Sequence, residues 1–243
     1  MQALRGTQDI LPKDIWKWNY VEKKIREWCR LYRFGEIRTP MFEATELFLR
    51  GIGDTTDVVT KEMYTFNDRG GRSITLRPEN TAAVVRSFLE HKAYADDNVH
   101  KVFYIGSMFR YDRPQAGRFR EFHQFGVETL GSYSPAADAE CIALAVDFFH
   151  SLGLKDLKLL INSIGHVECR KAYRERLIKF LEPKKDQLCD DCKERLYKNP
   201  LRVLDCKEDG CKAASEGAPQ ITDYLCEDCH NKFEAVKKYL TAL

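Results

Sequence analysis

Residues 100–130 constrain the fold more than any other part of this chain. HKVFYIGSMFRYD and REFHQFGVETLG are both strand-like, and a loop around Pro114 and Gly117 joins them. The joining stretch is very basic, with Arg110, Arg113, Arg118 and Arg120 inside eleven residues. Guanidinium groups form paired, charge-assisted hydrogen bonds with phosphate oxygens, so such a loop suits a polyphosphate. The following strand adds a period of two, which puts Phe122, Gln124, Gly126, Glu128 and Leu130 on one face. Phe122 offers a surface for a flat purine ring. Gly126 leaves room for a ligand against the backbone, and Glu128 can accept hydrogen bonds from a cationic or N–H-bearing ligand. A second reading of the same residues is an exposed hairpin whose arginines are solvated or paired with Asp112 and Glu121.

The remaining chain supplies helices around this hairpin. Residues 14–33 carry Ile15, Trp18, Val21, Ile25, Trp28 and Leu31 at helical spacing, with Asp14 as N-cap. A short strand ends near Pro40 and a helix begins near Glu43. EMYTFND and RSITLRP flank Arg69-Gly70-Gly71, a hairpin signal. Pro78 opens a helix over ENTAAVVRSFLEHK. Helices are expected over 135–152 and 165–181, with a strand at 156–163 between them. The strands come partly as hairpins without regular strand–helix alternation. This predicts an α+β fold, a mainly antiparallel sheet flanked by helices.

The composition excludes several classes. No apolar run approaches the roughly 20 residues of a membrane helix, and MQALRGTQDILPKD lacks a signal pattern. A cytoplasmic protein with no membrane partner is expected. The formal net charge of +2 excludes a chain that is basic throughout, but not a local basic groove. Nine cysteines without a signal point to a reducing compartment.

Six of those cysteines lie between Cys189 and Cys229, in a stretch that is charged and poor in large apolar residues. Three parts follow: a core at 1–182, a small inserted cysteine-rich, helical module at 183–230, and a helix over 231–243. Cys189, Cys192, Cys226 and Cys229 form two CxxC pairs, the spacing of a closed structural Zn²⁺ site. The other reading is reduced cysteines at helix ends in a helical insertion. Cys206 and Cys211 lie between the pairs, and Cys29, Cys141 and Cys169 are isolated. His166 has no partner visible in the sequence. His123, Trp16, Trp18 and Trp28 read as packing residues.

Phe109-Arg110-x-acid, a loop, Arg118-x-x-x-Phe122 and then Glu128 resemble motif 2 of class II aminoacyl-tRNA synthetases. RPQAGRFREFHQFGVE is similar to the histidyl-tRNA synthetase family in particular. LRGTQDILP, ITLRPENTA and TPMFEATELFLRGIGDTTDVVTKEMYTF agree, the last resembling motif 1. The resemblance implies a histidine–tRNA ligase using ATP, Mg²⁺, histidine and tRNA(His), and working as a homodimer supported by the strand at Met63, Tyr64 and Phe66. It implies that Arg110 is catalytic, holding the α-phosphate and the histidine carboxylate. It puts Arg118 on the γ-phosphate, Phe122 on adenine and Asp112 near the adenine amino group. It also implies that Glu79, Thr81, Arg110, Gln124 and Glu128 hold histidine, Glu128 by its imidazole. Lys193, Arg195, Lys198 and Arg202 are candidate tRNA phosphate contacts.

Full-length family members continue with a segment carrying a second arginine, then motif 3, then an anticodon-binding domain. No GLDYY-like or GGGRYD-like string occurs here, so the resemblance implies an N-terminal fragment that is weakly active or inactive alone. Two other readings are a histidine-binding regulatory subunit of ATP phosphoribosyltransferase and a zinc-dependent nucleic-acid-binding module. The latter leaves residues 1–182 unexplained.

Overall fold

The computed structural model describes residues 1–52, 62–96 and 98–243. Residues 53–61, within the motif 1 stretch, lie outside the described residues. The chain divides into two compact units, Met1–Leu157 and Lys158–Leu243.

In the first unit, β5 (His100–Phe109) and β6 (Glu121–Leu130) form the expected long hairpin, antiparallel over its whole length. β1 (Gly35–Glu36) adds to β5 in parallel, giving the order β1-β5-β6. One face of this sheet is apolar and covered by two helices, α1 (Ile15–Leu31) and α4 (Pro135–Ser151). Ile25, Cys29, Phe34, Phe103, Leu144 and Phe148 are buried there, with Ile105, Phe125 and Val127 packed against them. The opposite face meets α3 (Thr81–Glu90), where Val84 packs with Tyr104, Met108 and Phe122. Both helices follow from the sequence pattern; α4 starts where Ser134 accepts the Ala136 N–H and Pro135 needs no donor.

A second sheet has the order β2-β4-β3, all antiparallel: β2 (Phe42–Ala44), β4 (Ser73–Leu76) and β3 (Tyr64–Asn67). Asp68 closes the β3–β4 turn by accepting the N–H groups of Gly70 and Arg72, and Gly71 takes φ 77°. α2 (Thr45–Ile52) follows β2 directly. Fold class is therefore α+β, and antiparallel pairing dominates.

Three local expectations are corrected. The stretch 156–163 alternates like a strand but belongs to no sheet, and Leu160 is 77% exposed. Alternation makes a strand only where a ladder partner exists, and none pairs with it among the described residues. Trp16 is 62% exposed rather than packed, whereas Trp18 meets the His123 ring at 4.5 Å. Pro78 does not open a helix, because α3 begins only at Thr81.

The second unit contains α5 (Val167–Leu181), α6 (Asp190–Lys198), α7 (Leu201–Leu204), α8 (Asp209–Ser215) and α9 (Glu227–Ala242). Tyr173, Leu177 and Leu181 of α5 are buried together with Leu188, Leu196, Val203 and Ile221. α5 thus shares a core with the residues after 183, and the compact division falls at Leu157/Lys158 rather than at residue 183. Among the described residues, no helix is long and apolar enough to cross a membrane.

Candidate functional site

The register of β5 and β6 fixes the expected face. Phe122 lies opposite Met108, Gln124 opposite Gly106, Gly126 opposite Tyr104 and Glu128 opposite Val102. The space at Gly126 is filled by protein, not left for a ligand, because a Cβ there would overlap Tyr104 Oη and Cζ. Gly126→Ala must displace the Tyr104 ring, at a cost of about 1–3 kcal/mol. Urea unfolding measures this, and an unchanged midpoint would count against the packing described.

The Arg110 guanidinium lies 5.3 Å from the Phe122 ring centroid, and its Nε donates to the Pro78 carbonyl at 2.9 Å. Two arginines gather around Asp112. Arg118 is ion-paired with its carboxylate, and Arg120 Nε donates to its carbonyl at 3.3 Å. Arg120 also stacks on Tyr111 at 4.0 Å, and its carbonyl accepts the Arg110 N–H at 2.8 Å. Arg120 is thus held within the loop, whereas Arg113 and Arg118 are exposed and Arg118 is paired with Asp112, as the alternative reading of the hairpin has it.

A second polar group sits where α3 meets the strand face. Thr81 Oγ1 donates to Glu128 Oε1 at 2.8 Å, and Tyr104 Oη donates to the same oxygen at 3.5 Å. Glu79 accepts the backbone N–H groups of Thr81 and Ala82, so it caps α3 where the Asn80 side chain makes no cap bond. Gln124 Oε1 is buried and accepts no hydrogen bond from the described residues, so a ligand donor would find a free acceptor there. Burial pushes the Glu128 carboxyl pKa up, and the Glu79 charge adds to this, while Thr81 and Tyr104 oppose it. Burial, then the Glu128 charge, pushes Tyr104 up to about 12. A cavity of about 1040 Å³ opens beside Glu79 and Thr81, walled by Leu47, Val85 and Leu89. The site thus combines acceptors for a cation with Arg110 and Arg120, each held by a backbone carbonyl. Tyr104 and the Pro78 carbonyl are members that sequence reasoning missed; the pairing of Tyr104 with Gly126 was visible only once the register was known.

The cysteines are grouped differently from expectation. Cys189, Cys192, Cys226 and Cys229 do not come together. Cys189 and Cys192 join Cys206 and Cys211, while Cys226 and Cys229 join His166 and Cys169. The ligand atoms of each group all lie within 4.8 Å of one another, so each group could hold a metal ion. His166-x-x-Cys169 has the spacing of the CxxC pairs, the signal that was available and missed. The α6 cations are internally paired, Lys193 with Asp190, Arg195 with Asp191 and Lys198 with Glu194.

The family model described as histidyl-tRNA synthetase matches residues 6–192. A histidine–tRNA ligase from Anoxybacillus flavithermus is 62% identical over 243 residues, all of this chain and 57% of the relative. One from Pelotomaculum thermopropionicum is 60% identical over 98% of this chain and 56% of the relative. The chain therefore spans a little over half the length of the curated relatives it matches. The crystal structure of apo histidyl-tRNA synthetase from S. aureus superposes with a TM-score of 0.78 at 45% identity, covering all of this chain and 55% of that one. An ATP phosphoribosyltransferase regulatory subunit/histidyl-tRNA synthetase from Bacillus halodurans C superposes at 0.67 with 22% identity, over 99% of this chain and 64% of that one, a likeness of fold alone. With motif order, strand register and identity in agreement over this length, the chain belongs to the histidyl-tRNA synthetase family.

Proposed function

We propose that this chain carries the ATP- and histidine-binding half of a histidine–tRNA ligase. The observation that carries the reading is the juxtaposition on one strand of Phe122, under the Arg110 guanidinium, with Gln124 and the Thr81-bonded Glu128. ATP enters as its Mg²⁺ complex. Its adenine stacks on Phe122 beside Asp112, and its γ-phosphate takes Arg118 from the Asp112 carboxylate. The α-amino group of histidine donates to Gln124 Oε1, Thr81 and Glu79, and the imidazole donates to Glu128. A histidine carboxylate oxygen attacks the α-phosphorus, the bond to the bridging oxygen breaks, and pyrophosphate leaves. The 3′-terminal adenosine hydroxyl of tRNA(His) then attacks the acyl carbon and AMP leaves. Arg110 positions the reactants and balances the negative charge that builds on the α-phosphate.

Exchange of labelled pyrophosphate into ATP, dependent on histidine, tests this in a chain extended to the length of its relatives. Its absence would overturn the reading and favour a histidine-binding regulatory protein. The 243-residue chain alone is expected to exchange poorly or not at all, and near-normal turnover would contradict a divided site.

The protein is proposed to act as a homodimer. β2, β4 and β3 turn Thr75 inward, where it bonds Thr45 and Thr65, and turn Phe42 and Phe66 outward at 55% and 48% exposure. A sheet with its apolar face outward suits a second copy. Sedimentation equilibrium measures this, with a purely monomeric species as the contrary result.

Glu128 gives a pH dependence. Its folded pKa is raised, so it favours the fold while protonated, and that contribution is lost as pH rises through the raised value. Glu128→Gln keeps an acceptor for Thr81. Near about pH 7 the ligand-free variant is expected to be more stable than the parent, and the gain to vanish below about pH 4. A urea midpoint at neutral pH no higher than the parent's would refute this.

A further inference from the structure

We propose that residues 158–243 hold two structural zinc ions, one on Cys189, Cys192, Cys206 and Cys211 and one on His166, Cys169, Cys226 and Cys229. The proposal is independent of the synthetase reading, because it rests only on these eight side chains.

The distances suit a shared metal rather than disulfides. Tetrahedral thiolates at about 2.3 Å from zinc stand about 3.8 Å apart. Cys189 Sγ and Cys206 Sγ are 3.9 Å apart. In the other group His166 Nδ1 lies 3.0 Å from Cys169 Sγ, 3.4 Å from Cys229 Sγ and 3.9 Å from Cys226 Sγ. A disulfide needs sulfurs about 2.05 Å apart, and all nine cysteines are free thiols. Sulfur-rich sets with imidazole favour zinc over the hard cations.

The surroundings are those of ligands, not of cysteines that merely fill space. His166 turns Nδ1 toward the three sulfurs and Nε2 toward the Glu168 carboxylate at 2.7 Å. A carboxylate behind a ligating histidine fixes the ring and raises its basicity. Backbone N–H groups point at the sulfurs: Cys189 N–H at Cys211 Sγ, 3.3 Å, and Cys226 N–H at Cys169 Sγ, 3.1 Å. His166, Cys189 and Cys226 are the N-caps of α5, α6 and α9, and Cys169, Cys192 and Cys229 follow three residues later. Three of the four two-ligand halves are thus the same device, a ligand pair gripped by a helix start, and Cys206 with Cys211 at α8 makes the fourth. Gly165 permits the close approach. It takes φ 60°, and a Cβ there would meet Cys169 Cβ at 2.6 Å and Leu225 Cδ2 at 2.8 Å.

Four protein ligands close each site, so both ions are structural rather than catalytic. One ties the start of α5 to the start of α9. The other ties the start of α6 to the segment running into α8.

Elemental analysis of the chain, purified under reducing conditions from zinc-supplemented cells, is expected to give two zinc ions per chain. Cys192→Ser/Cys211→Ser and His166→Ala/Cys169→Ser each halve that content, and Cys141→Ser leaves it unchanged. Because the double variants can lose their fold, metal-stripped parent protein is also titrated with Co²⁺. Thiolate-to-cobalt charge-transfer bands should grow to two equivalents and be abolished by zinc. Zinc content of one or none, cobalt saturation at another stoichiometry, or double variants that keep both ions would overturn the proposal.

Discussion

Arg110→Ala, in a chain extended to the length of its relatives, is expected to lower histidine-dependent ATP–pyrophosphate exchange by about 10²–10³-fold, most of it in kcat. The guanidinium is held from two sides before any ligand arrives, by the Pro78 carbonyl at Nε and by the Phe122 ring. A charge already positioned needs no reorganisation when the α-phosphate acquires negative charge, and so acts more strongly on the transition state than on bound ATP. Arg110→Lys is expected to recover little, because a point charge cannot bond Pro78 and two phosphate oxygens together. Stability should change little, since Arg110 is only half-buried. A variant with near-parental kcat would remove Arg110 from the chemistry. A loss confined to the KM for ATP would make it a ground-state anchor.

The parts legible in the sequence are those set by local rules. Alternation along residues 121–130 was enough to put Phe122, Gln124 and Glu128 on one face, because a strand has only two faces and the other is covered by α1 and α4. Helical spacing likewise predicts α1, and helices are expected where α4 and α5 stand. What the sequence hid depends on partners distant along the chain. Gly126 looked like room for a ligand until Tyr104 was seen across the ladder. Glu79 looked like a ligand for an ammonium group, and its two oxygens also cap α3. The spacing of the two CxxC pairs suits one closed site, yet each pair closes with a different half, one of them His166-x-x-Cys169, which has the same spacing. Pairings of this kind are decided by which helix starts the fold brings together, not by spacing.

Arg77→Met is expected to destabilise the first unit by about 4 kcal/mol. Arg77 is only 6% exposed and its guanidinium serves four acceptors. Nε donates to the Ser107 carbonyl at 2.9 Å, and Nη1 faces the Thr39 carbonyl at 3.1 Å with Thr39 Oγ1 and Asn80 Oδ1 each at 3.3 Å. Its backbone joins the same elements, with its N–H on the Met41 carbonyl and its carbonyl accepting the Phe109 N–H. Gly106 leaves the room this requires, because a Cβ there would press on Arg77 Nη2. Burial pushes the Arg77 pKa down, yet a guanidinium stays charged in a protein, so the cost of desolvation is met by these bonds. Methionine matches the length and donates nothing, leaving buried carbonyls that each cost about 1–3 kcal/mol. Lysine cannot span the same four acceptors and is expected to rescue only part of the loss. Pro78 follows Arg77 and accepts the Arg110 Nε–H, so on the proposed role of Arg110 a catalytic defect is expected alongside the stability defect. Exchange activity should fall even at temperatures where the variant remains folded. Urea midpoints and exchange rates measured on the same preparations separate the two effects. A variant with a parental midpoint would mean that this buried cation does not brace the β4–α3 connection.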